Sequence, residues 1–224
     1  MKNLLITYLK KSPRLLFWLS WLYSINSFFL INGRKNNKIR YSSSFLKNTK
    51  INISGVNNTV IIDVENRLKN CLIHISGNNC VVNIDKHCIL VDLEIWLEDD
   101  NSSVYIGANT TVEGGHFAST EGKKISIGKD CMFSYDIEIR NGDSHGIFEL
   151  QSQNRINIAQ NVSIGNHVWL AADVKVLKGS TIADNSIIGT GSIVVGSLND
   201  PNSIYVGLPA KKIKSSIEWT RNRH

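Results

Sequence analysis

From Ile158 to Val194 an aliphatic residue recurs at every sixth position: Ile158, Ile164, Leu170, Val176, Ile182, Ile188 and Val194. Two residues ahead of each later member stands a small or β-branched residue: Val162, Val168, Val174, Ser180, Ser186 and Ser192. Just after most members stands another small one, as at Ala159, Gly165, Ala171, Ala183 and Gly189. A helix repeats every ~3.6 residues and a half-buried strand every second residue, so neither predicts a strict period of six. A parallel β-helix does. Its short strands turn a corner every six residues, and each turn stacks on the one before, so aliphatic side chains line the inside. With three sides, residues 18 apart stack, placing Ile158 under Val176, Ile164 under Ile182 and Leu170 under Ile188.

A looser period of 22 precedes the strict one. Gly55-Val-Asn-Asn, Gly77-Asn-Asn-Cys and Asp100-Asn-Ser lead into Val60/Ile62, Val82/Ile84 and Val104/Ile106. A coil of 18 with a short Asn/Gly-rich corner accounts for the longer spacing; these residues accept the positive φ that tight corners require. The solenoid is therefore expected over residues 50–200. One stretch interrupts it: residues 140–156 are mostly polar and supply no inward aliphatic row. That stretch is read as a loop leaving the prism, the usual carrier of function where the coils are committed to stacking. Pro201 ends the repeat, and residues 201–224 read as a cap.

Residues 1–40 form a different segment. Leu15 to Ile31 is rich in Leu, Phe and Trp, with Lys10, Lys11 and Arg14 before it and Arg34, Lys35, Lys38 and Arg40 after it. No small-x-small cleavage site follows, which argues against a signal peptide. Ser20, Ser24 and Ser27 share one helical face. Three readings stand: an amphipathic helix on a membrane surface, a helix docked on the solenoid or a neighbouring subunit, and a true span. The flanking cations suit the anionic inner leaflet.

The net charge of +6 favours an acidic partner, such as a phosphorylated cofactor or an anionic glycan. Nucleic acid is poorly supported, since aromatics are sparse and no zinc-finger spacing occurs. Cys71, Cys80, Cys88 and Cys131 lie in apolar repeat sequence and form no CxxC; they read as buried packing residues of a reduced, cytoplasmic protein. The spacing of the histidines predicts no metal site, and no Walker, dinucleotide or nucleophile-elbow motif is present.

Among the six histidines, His145 alone lies in the loop. An imidazole titrates near neutrality and suits a general base acting on a hydroxyl. Trp169 occupies the outward slot of its hexad, where an indole marks a contact surface. His167 is also outward and reads as surface or interface, without an acidic partner nearby. His116 is kept as an accessory candidate for the same cleft.

The segments Ile137-Glu-Ile-Arg-Asn-Gly-Asp-Ser-His145-Gly, Ile164-Gly-Asn-His-Val-Trp169, Leu177-Lys-Gly, Ile188-Gly-Thr-Gly-Ser and Val206-Gly-Leu-Pro-Ala-Lys-Lys-Ile-Lys resemble the hexapeptide-repeat acyltransferases. Within these they are most similar to the O-acetyltransferases of capsule, lipopolysaccharide and other surface sugars. The resemblance implies a left-handed parallel β-helix, a homotrimer, and acetyl-CoA lying in the groove between two prisms. It further implies that His145 is the base and that Trp169 shapes the thioester pocket. Contacts to the pantetheine arm match Ala172 and Thr190, and contacts to the cofactor phosphates match Lys211 and Lys214. Asp143 is the candidate to orient the imidazole, and a backbone N–H near Trp169 the candidate oxyanion donor. Leu170-Ala171 stands where the family has Ile-Gly, and Leu208 where it has Asn. The expected activity is acetyl transfer to a sugar hydroxyl of a surface polysaccharide or its precursor, at the cytoplasmic side of the inner membrane, with no metal. A non-catalytic glycan-binding or membrane-tethered scaffold is the alternative, and a β-helix carbonic anhydrase would need three converging histidines.

Overall fold

The computed structural model describes residues 13–28, 30–41 and 43–222. Among the described residues, a helix, α1 (Pro13–Phe28), and a short 3-10 turn at Arg34–Asn36 precede a parallel β-solenoid of three sheets. The first face begins with Lys38–Arg40 and climbs through Thr59–Ile62, Val81–Ile84, Ser103–Ile106, Lys124–Ile127 and Val162–Ile164 to Ser197–Leu198. The second face runs from Phe45–Lys47 through Met132–Phe133, Trp169–Leu170 and Ile187–Ile188 to Ile204–Gly207. The third runs from Lys50–Ile53 through Gly115–Ser119 and Ile137–Arg140 to Ile193–Val194. Within the sheets, only the final pair, Ile204–Gly207 with Ala210–Lys214, is antiparallel.

Register follows the periodicity. Val60, Val82, Val104, Ile125 and Val162 stack directly up the first face, and all are buried. Ile164 pairs with Ile182 and Leu170 with Ile188, as the hexad predicts. Where the prism is filled at mid-height, Phe117 and Phe133 meet edge to face at 6.3 Å, both fully buried. Corners are made by left-handed residues such as Asn57, Asn79 and Asn101. Buried asparagines satisfy the corner backbone: Asn58 donates to the Gly77 carbonyl and accepts from the Cys80 N–H.

Ile158 departs from the expected pattern. It is 55% exposed, and the position under Val176 is filled by Ile139. The chain is still returning from the loop at residue 158, and the inward row restarts at Val162. The solenoid also extends beyond the expected limits at both ends. Its first strands precede residue 50, entered through a Gly33…Asn36-Asn37 corner that stacks under Asn57-Asn58, and Ile204–Gly207 continues the second face past Pro201.

The serine face of α1 is turned inward rather than toward an interface. Ser24 Oγ accepts from the Leu46 N–H at 3.0 Å and donates to the Ser44 carbonyl. Ser27 Oγ accepts from the Thr49 N–H at 3.1 Å and donates to the Leu46 carbonyl. Two hydroxyls one turn apart thus satisfy the open edge of the first strand of the second face, which would otherwise present unpaired groups. Residues 30–32 perform the same service for the third face by bridging Ile31 to Ile51.

Candidate active site

The loop leaves the prism after Arg140, at the corner between the third and first faces, and rejoins it at Val162. Its tip is a small hairpin closed by the Phe148–Arg155 bridge and by Ile156 N–H donating to the Ile147 carbonyl. Two ion pairs fix its base: Lys178 with Asp143, and Arg155 with Glu121. The Lys178 ammonium bonded to Asp143 holds that carboxyl below its usual range. The Ala159 N–H, then the Arg155 guanidinium, do the same for Glu121. A lowered carboxyl contributes its stability fully above the ordinary carboxylate range and loses it as pH falls through the lowered value. The base of the loop is therefore intact at neutral pH.

Asn157 organises the interior of the loop. Its Nδ2 donates to the His145 carbonyl at 2.7 Å and to Asp143 Oδ2 at 3.0 Å. Its Oδ1 accepts from the Ile147 N–H at 2.7 Å and from Arg155 Nε at 3.2 Å. This buried amide ties the Asp143 side chain, ahead of His145, to the backbone at His145 and Ile147. The His145 imidazole is exposed and makes no hydrogen bond among the described residues. The Asp143 carboxylate is engaged by Lys178 and Asn157. Asn157 and Lys178 were not singled out from the sequence, because their roles depend on contacts between residues 14 and 35 positions apart.

Trp169 begins its strand on the second face, half-buried and outward, next to the corner between the first and second faces. His145 and Trp169 therefore stand at two different corners, with the first face between them. Ala172 lies just past Leu170, in the turn toward the third face, and Thr190 sits in the matching turn one coil above it. Lys211 and Lys214 are exposed on the closing strand, paired with Val206 and Ile204. Trp169 and Ala172 share one coil, Thr190 lies in the next and Lys211 on the closing strand beyond it; the coils stack about 4.8 Å apart. A track with two cations at its top suits a long ligand with phosphates at one end. The Trp169 and Ala171 N–H groups are spent on the Ser186 and Ile188 carbonyls of the next coil, so neither serves as the expected oxyanion donor.

His167 does have an acidic partner, contrary to the sequence reading. Its Nδ1 lies 2.7 Å from Asp130 Oδ2, its Nε2 3.0 Å from the Trp219 carbonyl, and its ring stacks on the Trp219 indole at 4.0 Å. Trp219 Nε1 returns a bond to the His167 carbonyl, and its ring lies 6.0 Å from Trp169. Arg221 extends this clasp to Asp130, Thr111 and the Cys131 carbonyl. The C-terminal tail therefore braces the corner that carries Trp169. His116 sits on the third face beside Glu94, Glu138 and Arg140, and burial first, then Arg140, pushes its pKa down.

Among the described residues no group of three potential ligands could hold a metal ion. The four cysteines are free and buried. Burial raises the thiol of Cys71 to about 11, of Cys88 to about 11 and of Cys131 to about 12, and raises that of Cys80 as well. Such thiols are inert packing groups rather than nucleophiles.

No protein-family model matches the chain. A polysialic acid O-acetyltransferase of Neisseria meningitidis is 38% identical over 190 residues, covering 84% of this chain and 88% of that protein. The crystal structure of the polysialic acid O-acetyltransferase OatWY superposes with a TM-score of 0.82 at 37% identity, over 84% of this chain and 90% of the other. That of the polysialic acid-specific acetyltransferase NeuO gives 0.65 at 28% identity, over 78% and 83%. With a hexad-built solenoid and this degree of likeness along most of its length, the chain belongs to the hexapeptide-repeat O-acetyltransferases.

Proposed function

We propose that this enzyme transfers an acetyl group from acetyl-CoA to a hydroxyl of polysialic acid or a similar acidic capsular polysaccharide. The acceptor class rests on the relatives, which are polysialic acid O-acetyltransferases. The net charge of +6 agrees with an acidic acceptor and a phosphorylated donor. Trp169, Ala172 and Thr190 would hold the pantetheine arm, and Lys211 and Lys214 the phosphates. The thioester supplies an activated acetyl carbonyl. His145 accepts the proton of the acceptor hydroxyl as its oxygen attacks that carbonyl, and returns the proton to the departing CoA sulfur. Buried thiols without a base partner argue for direct transfer, without an acetyl-enzyme. Free cysteines and a cytosolic acyl donor fit a cytoplasmic enzyme.

One observation carries the reading: the base and the pocket tryptophan occupy different corners of a single prism. They meet only if a second copy packs alongside, so that His145 of one protomer faces Trp169 of the next. Cyclic packing of three prisms gives three such clefts. Mixed trimers test this directly. His145→Ala and Trp169→Ala chains, each nearly inactive alone, are expected to recover about one quarter of wild-type acetyl transfer to polysialic acid when co-assembled in equal amounts. One interface in four then pairs an intact histidine with an intact tryptophan. No recovery in verified mixed trimers would refute the shared site, and no transfer by the wild-type enzyme would refute the activity.

Asn157 is a positioning residue in this scheme. Asn157→Ala frees the Asp143 side chain and the backbone at His145 and Ile147, so kcat is expected to fall about tenfold. KM for acetyl-CoA and the melting temperature should stay near wild type, because the coils and the lysine track are untouched. A rise in KM with kcat unchanged would instead place Asn157 in cofactor binding.

A further inference from the structure

We propose that the N-terminal end of the solenoid docks on a bilayer containing anionic phospholipid, with the outer face of α1 seated in the interface. The helix turns its serines to the solenoid edge. Among the described side chains, Phe17, Trp18, Trp21 and Leu22 stay outside, with Tyr23 at the margin against Phe45, each 46–59% exposed. Phe17, Trp18 and Trp21 meet edge to face at 6.2 and 6.1 Å, forming one continuous aromatic patch. Rings with an apolar body and a polar tip favour the headgroup boundary over either water or hydrocarbon. At 16 residues α1 is about 24 Å long, short of the ~30 Å hydrocarbon layer. No described helix is long and apolar enough to cross a membrane, so the geometry is that of a helix lying along the surface.

Charge gives an independent second observation. The first 69 residues hold 12 basic and 2 acidic side chains, a net of +10. The remaining residues hold 13 and 17, a net of −4. Lys35, Lys38, Arg40 and Lys47 are exposed at this end of the prism. Arg67 and Lys69 rim an open groove of about 410 Å³ beside α1, floored by Tyr23, Phe45, Ile89 and Val91. Cations above an apolar floor match a lipid phosphate above its acyl chains, and such basic clusters bind anionic leaflets.

A second copy of the chain fits this face poorly. The like-charged ends repel, and the aromatic patch offers only roughly 500 Å², so two copies would bury about 1,000 Å², less than a stable interface needs. The His145 loop emerges about four coils further along, some ~20 Å from the first. Docking therefore leaves it open to the aqueous side.

The test is flotation of the full-length protein with vesicles of phosphatidylcholine alone and of phosphatidylcholine with 30% phosphatidylglycerol, a mixture chosen at about the anionic fraction that attracts polybasic surfaces. Binding is expected to the anionic vesicles and to weaken in high salt. Trp18→Ser/Trp21→Ser/Leu22→Ser should reduce it at least about tenfold. Acetyl transfer to soluble polysialic acid should be retained, which separates this docking from the catalytic reading. Absent binding, or equal binding to both vesicle types, would overturn the proposal. So would a changed oligomeric state in the triple variant, which would make the patch an interface between copies. Loss of polysialic acid binding in that variant, without vesicle binding by the wild type, would make this end an acceptor track instead.

Discussion

His145→Ala is expected to lower kcat/KM for acetyl transfer by at least about a hundredfold, the lower end for loss of a general base. The expectation follows from how little else the imidazole does. It is exposed and makes no hydrogen bond among the described residues. The loop is held by Asn157, Lys178–Asp143 and Arg155–Glu121, none of which needs the imidazole. Removing the ring should therefore leave melting temperature, oligomeric state and CoA binding unchanged. The decisive measurement is the rate with saturating acetyl-CoA, so that binding is already complete and only the proton transfer is probed. Transfer within a few-fold of wild type would show that another group deprotonates the acceptor. A loss confined to KM would place His145 in substrate binding.

The solenoid was legible because its period is local. An aliphatic residue at every sixth position states which way each side chain points, and Ile164, Leu170, Val176, Ile182, Ile188 and Val194 are all buried as that period requires. The same signal misled at Ile158, where the sequence keeps the phase while the backbone is still outside the prism. A period records spacing and does not record where a coil begins. The loop was visible as a break in the pattern, and His145 as its only histidine. What holds that loop was not visible, because Asn157, Lys178 and Glu121 become neighbours only through stacking. His167 and Trp219 stand 52 positions apart and meet because the tail doubles back. The serines of α1 were read correctly as one face. Their direction depended on the unpaired edge of the first strand, which no property of the helix itself encodes. The cleft proposed between His145 of one protomer and Trp169 of the next would need a second chain, so periodicity within one chain says nothing about it.

Gly128→Ala is expected to destabilise the protein by about 3 kcal/mol, the upper part of the range for overpacking a fixed interior. Gly107, Gly128 and Gly165 stand one above another at the corner between the first and second faces, where each coil's N–H bonds to the coil above. A Cβ at Gly128 would lie 2.4 Å from the Gly165 carbonyl oxygen, 2.5 Å from its carbon and 2.7 Å from the Asn166 nitrogen. All three are backbone atoms locked in the coil ladder, so no side chain can swing aside. Relief requires the two coils to part, and in a solenoid the contact between neighbouring coils is the unit of stability. Gly191→Ala is the matched control. It also removes a glycine from a corner, but nothing lies within 4 Å of its Cβ, and only the φ of +68° opposes the substitution. That strain is worth about 1–2 kcal/mol. Denaturant midpoints should therefore fall further for Gly128→Ala than for Gly191→Ala. Equal midpoints would mean that the coils at this corner are not in van der Waals contact. Because the strained coil carries His167 and Trp169, loss of the tail's brace on that corner should accompany the loss of stability, seen as a change in Trp219 fluorescence before global unfolding.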